Sequence, residues 1–81
     1  MNERMTAEEY RLAMKLLFRD SHAEAARMFG CSRQMSHLYW TGKSRIPNSV
    51  RNLIYIYDAI GIDRAKEILA DTKLEYSVIW G

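Results

Sequence analysis

The chain has 81 residues, of which 48% are hydrophobic and 27% charged, and its formal net charge is +2. A chain of this size sustains one domain with a modest core and excludes a deep, lidded interior cleft. No run of 18 apolar residues is present, which excludes a membrane-spanning helix.

Helix signals can be read in chain order. Thr6 followed by Glu9 has the spacing of a capping box, in which each side chain satisfies a backbone N–H of the other. Met5 before the cap and Tyr10 within the helix have the spacing of a hydrophobic staple. Tyr10, Ala13, Met14 and Leu17 then recur at helical period, predicting a first helix over Ala7–Phe18. Ser21 and Glu24 repeat the capping-box spacing, Ala25, Ala26 and Phe29 form a short apolar stripe, and Gly30 stops a second helix over His22–Phe29. Ser32 is the expected N-cap of a third helix over residues 33–40, ended by Gly42. A polar loop anchored by Ile46 leads to Pro47 and Asn48, which are helix starters. A fourth helix is expected over residues 49–60, with Val50, Leu53, Ile54, Tyr57 and Ile60 on one face and Tyr55 and Ile56 widening it. So apolar a helix is either central or shared with a partner subunit. Gly61 ends it. Asp63 is the expected cap of a fifth helix over residues 64–70, with Ala65, Ile68 and Leu69 inward.

In the tail the period changes. Leu74, Tyr76, Val78 and Trp80 alternate with Glu75, Ser77 and Ile79, which is a strand pattern. A lone strand exposes unpaired backbone groups. These four residues are therefore the candidate dimerisation residues, pairing with a second copy about a two-fold axis. Helix-mediated dimerisation and a tail packed on its own domain remain the alternatives. The expected fold is all-α: one domain over 1–81, with a core over 6–60, and a C-terminal helix and a short β-strand over 62–81.

Charge is segregated along the chain. Between residues 25 and 57 there is no Asp or Glu, while Arg27, Arg33, Lys43, Arg45 and Arg51 all fall there. A face of one sign suits a polyanion. Within that stretch, two short helices joined by a three-residue turn containing Gly have a helix-turn-helix arrangement. Close helix crossing needs a small residue, supplied by Ala26, and the sharp turn needs one tolerant of positive φ, supplied by Gly30. Arg33, Gln34 and His37 then point outward, while Met35, Leu38 and Tyr39 pack.

On these residues the chain resembles the Cro/repressor-type (XRE-like) helix-turn-helix regulators. Their pattern, Ala-x-x-x-Gly-x-Ser, a recognition helix, and Gly-x-x-x-Ile-Pro, falls on Ala26, Gly30, Ser32, Gly42, Ile46 and Pro47. The likeness spans about residues 7–60. One departure is Ser36, six residues after the turn glycine, where the family usually has an inward Ile or Val. Met35 or Leu38 is expected to fill that place, with a slight rotation of the third helix.

The resemblance implies that the third helix enters the major groove. Arg33 is then suited to the O6 and N7 of guanine and Gln34 to adenine, with His37 on the same face. His22, Ser32, Lys43, Ser44, Arg45 and Arg51 are the expected contacts to the DNA backbone, setting affinity and register. Trp40 is expected to pack rather than stack on a base. Cys31 reads as a small buried hydrophobe, since the chain lacks a second cysteine for a disulfide or a zinc-binding pair. No metal, cofactor or enzymatic activity is expected.

The function implied is a dimeric, sequence-specific double-stranded DNA-binding regulator. It would repress by covering a promoter, with two third helices about 34 Å apart on a pseudo-palindromic operator. Autoregulation is implied by the resemblance alone, as is a phage or prophage setting. The alternative is an antitoxin or other protein-interaction module gripping a partner protein with its C-terminal tail. The opening residues lack an apolar leader segment, so a cytoplasmic location is expected.

Overall fold

Local capping explains where most of the helices begin and end. The computed structural model describes residues 4–70, an all-α, five-helix arrangement. Helix α1 spans Ala7–Phe18, α2 His22–Phe29, α3 Arg33–Thr41 and α4 Asn48–Ile60. Helix α5 covers residues 62–70, where the described part ends. The alternating segment 74–80, with Leu74, Tyr76, Val78 and Trp80, lies outside the described residues.

Thr6 and Glu9 form the expected capping box. Thr6 Oγ1 accepts from Glu9 N at 3.1 Å, and Glu9 Oε1 accepts from Thr6 N at 2.8 Å. Met5 and Tyr10, the staple pair, are both buried. The second box is only half made. Ser21 Oγ accepts from Glu24 N at 3.2 Å, but the Glu24 carboxylate reaches Lys66 Nζ on α5 at 3.0 Å. A tertiary ion pair has taken the group that local spacing assigned to the cap.

Four further expectations shift. Helix α3 runs one residue beyond Trp40, and α4 starts one residue early, at Asn48, with Pro47 in extended backbone before it. Helix α5 begins at residue 62, so Asp63 lies inside its first turn. Its first backbone bond runs from Ala65 N to Gly61 O at 3.0 Å, which leaves Asp63 no capping role. Ile60 and Ile68, expected inward, are exposed, because α4 and α5 each bury a narrower stripe than their sequences offer.

The core joins Tyr10, Met14 and Phe18 of α1 to Ala25 and Met28 of α2, Tyr39 of α3, and Val50, Ile54 and Tyr57 of α4. Ile46, the loop anchor, and Ala65 of α5 close it. Phe29 sits among three rings, edge-on to Phe18 at 5.4 Å, stacked on Tyr57 at 6.1 Å and tilted to Tyr10 at 6.1 Å. Each such aromatic contact adds about 0.5–1.5 kcal/mol beyond area burial. The Tyr57 hydroxyl donates to Met28 O at 2.5 Å, which satisfies a carbonyl near the end of α2. Packing thereby fixes α1, α2 and α4 as a frame, against which α3 is held.

Candidate nucleic-acid interface

The turn between α2 and α3 sets the site. Gly30 has φ 74° and ψ 33°, the left-handed cap that lets the chain reverse after one residue. A Cβ there would meet nothing within 4 Å, so glycine is required by the dihedral and not by space. Ala26, at the helix crossing, is buried. Ser32 then starts α3, its hydroxyl accepting from Met35 N at 3.0 Å. The cap uses a lone pair of this oxygen and not the O–H proton that a phosphate oxygen would accept.

Helix α3 buries Ser36 and Tyr39 and half-buries Met35, Leu38 and Trp40. Arg33, Gln34 and His37 are exposed, and His37 lies four residues from Arg33 and three from Gln34, the spacings that bring side chains together on one helical face. Lys43 and Arg45 are exposed in the following loop, and Ser44 is half-buried there. Arg51 behaves differently from expectation. It is half-buried, lies over the Tyr55 ring at 5.8 Å and donates to Asn52 Oδ1 at 3.2 Å, so its guanidinium is engaged along α4.

Ser36 corrects the expectation of a rotated helix. It has no solvent exposure and points inward, where the apolar residue was expected. Neither Met35 nor Leu38 replaces it, as both are only half-buried. Ser36 Oγ lies 2.6 Å from Tyr10 Oη and 2.8 Å from His22 Nδ1. The polar side chain is tolerated because it is hydrogen-bonded on both sides.

His22 is therefore tied to the core by one nitrogen. Its ring is edge-on to His37 at 5.4 Å and to Trp40 at 6.2 Å, and His37 stacks on Trp40 at 6.1 Å with the planes 9° apart. Burial, then the neighbouring His37, push the His22 pKa below 6.5, and Asp20 opposes them. Arg11 of α1 lies over the Trp40 ring at 5.6 Å and donates to Trp40 O at 2.8 Å. Trp40 is thus packed among protein groups, as expected. Cys31 is half-buried against the core, and burial pushes its thiol pKa up.

Two contributors escaped the sequence reading. The sequence places Tyr10 as a staple and core residue without a polar partner, and gives Arg11 no role. Both act across 26 to 29 residues of chain, where no local spacing announces them. The one available signal was a serine at a position that calls for an aliphatic side chain.

Comparison of the chain with family models, curated proteins and solved structures gave no match.

Proposed function

We infer that this chain is a sequence-specific double-stranded DNA-binding regulator that acts as a dimeric repressor. The observation that carries the reading is the exposed face of α3. Arg33, Gln34 and His37 stand out from a helix whose other side is packed, and exposed Lys43 and Arg45 follow it. Such a helix delivers hydrogen-bonding side chains to base edges, while the loop cations hold phosphates. The absence of acidic residues from 25 to 57 keeps like charge away from the polyanion. In this reading His22 contacts phosphate by the nitrogen not engaged with Ser36. Repression follows from occupancy of a promoter, in the cytoplasm, at a level set by protein concentration. Among the described residues, no helix is long and apolar enough to cross a membrane.

A dimer is supported by a second apolar face. Leu12 and Leu16 on α1 and Tyr55 on α4 are each more than half exposed and line the groove where these helices meet. A second copy would cover them. The same face supports the alternative, a partner protein in an antitoxin-like pair.

Selection from a random duplex pool, with sedimentation of the protein alone, tests both parts. An enriched inverted repeat with half-sites about 10 base pairs apart supports the dimeric operator binder. No enrichment, with only weak low-salt binding, refutes it. Replacing Leu16 by glutamate should produce a folded monomer, and a variant that stays dimeric rejects this face as the interface.

A further inference from the structure

A hydrogen-bonded series runs from the core to the candidate docking face. Tyr10 Oη and Ser36 Oγ are 2.6 Å apart, and both residues are fully buried. Ser36 Oγ is 2.8 Å from His22 Nδ1. The direction of the series follows from its buried end. Tyr10 has one hydroxyl proton, and Ser36 Oγ is the oxygen placed to accept it. A phenol proton without an acceptor in the core is costly, so Tyr10 donates and Ser36 accepts. Ser36 must then place its own proton. The choices are a histidine nitrogen at 2.8 Å and the weakly accepting Met14 Sδ at 4.0 Å. The nitrogen prevails on distance and on acceptor strength.

We propose that Ser36 is a positioning residue for His22: it donates to Nδ1 and fixes the imidazole as the neutral tautomer with its proton on Nε2. The functional consequence rests on the DNA reading above; the tautomer itself does not. Nε2 is not among the buried polar atoms lacking a partner, and it is the nitrogen left for a ligand. His22 therefore meets a phosphate oxygen as a neutral N–H donor, giving position without charge. An imidazolium would carry a proton on Nδ1 as well. Ser36 could accept it only by turning its own proton to the Met14 sulfur.

The groups around the ring act mostly in the same sense. His37 of α3 is 5.4 Å away, and the Arg11 guanidinium of α1 lies over the adjoining Trp40. Asp20, between α1 and α2, opposes them. An aliphatic side chain at position 36, the usual residue in the Cro/repressor pattern, has no hydroxyl to do this.

Long-range proton–nitrogen NMR of the intact protein tests the assignment (Nδ1 bare and Nε2 protonated at neutral pH are expected). Tyr10→Phe keeps the ring but removes the donor to Ser36. Its oxygen is then free to accept from Nδ1, so the His22 titration midpoint rises. Ser36→Thr keeps the hydroxyl and the wild-type spectrum. A proton on Nδ1 in the wild-type protein overturns the proposal, as does an unchanged midpoint in Tyr10→Phe. On DNA, His22→Gln keeps an N–H donor and leaves the salt dependence unchanged. Flattening of the slope by about 0.9, the mark of a lost cation, overturns the neutral assignment. A protein that shows the expected spectra but selects no duplex supports the role of Ser36 and removes the DNA reading instead.

Discussion

Replacing Ser36 by alanine removes one hydroxyl from a position with no solvent exposure. Tyr10 Oη then loses its partner, and its ring is enclosed by Phe29 at 6.1 Å and Tyr39 at 5.6 Å. A buried donor left unpaired costs about 1–3 kcal/mol. His22 is half-buried, so its nitrogen recovers water at smaller cost. The space vacated by one oxygen is too small for a water to replace it. Alanine's better helix propensity returns about 0.5 kcal/mol. The net loss is about 2 kcal/mol, or roughly 8–16 °C in Tm for a domain of this size. Urea and thermal unfolding followed by circular dichroism at neutral pH measure it. The decisive comparison is the double variant Tyr10→Phe with Ser36→Ala. Removing both partners leaves nothing unpaired between them, so the double variant should be more stable than Ser36→Ala alone, with a coupling of about 1–2 kcal/mol. A loss below about 0.5 kcal/mol in Ser36→Ala, or strict additivity in the double variant, refutes the reasoning.

Three other outcomes are expected. Burial pushes the Tyr10 phenol up to about 12 from 10, and raises Tyr39 and Tyr57 as well. The folded state thus holds these protons more tightly, so stability is complete below pH 10 and falls as pH rises through 10 to 12, and alkaline melts should show a shallower fall in Tyr10→Phe. In duplex binding followed by fluorescence anisotropy, Arg33→Ala should lose about 10- to 100-fold and relax one base preference, whereas Lys43→Ala and Arg45→Ala should weaken all sequences and flatten the salt slope by about 0.9 each; equal losses on matched and scrambled duplexes for Arg33→Ala contradict its role in reading a base. Arg19 is an exposed non-glycine residue at φ 52°, so Arg19→Gly should stabilise the fold by about 0.5–1 kcal/mol, the left-handed strain relieved less the entropy glycine adds to the unfolded chain, and a lower Tm contradicts this.

What could be read in advance was what is local. Thr6, Ser21, Ser32, Gly30 and Gly42 mark helix ends through groups three or four residues away, so their spacing carries the information. The apolar period of α1 names Tyr10 and Met14 correctly for the same reason. Glu24 shows where this stops, because its carboxylate had a local option and a distant one, and Lys66 is 42 positions away in the chain. Arg19 and Asp20 were visible as an interruption, yet their paired positive φ values, 52° and 64°, fall on residue types that do not advertise them. The outward face of α3 follows from helical period once Tyr39 is placed inside. The inward serine did not follow, since its partners come from two other helices. Ile60 and Ile68 were misplaced because period identifies an apolar stripe but not which part of it finds a neighbour.

The two ends of α3 are fixed before anything docks. Ser32 caps its start, Gly42 N–H bonds to Leu38 O and Tyr39 O at its end, and Arg11 holds Trp40 O from a different helix. A ligand settling on Arg33, Gln34 and His37 meets a helix already wound, so association involves no coupled folding of that element. Its heat-capacity change should then reflect the contact surface alone, and its rate should be governed by diffusional encounter and electrostatic attraction rather than by a wait for the helix to form.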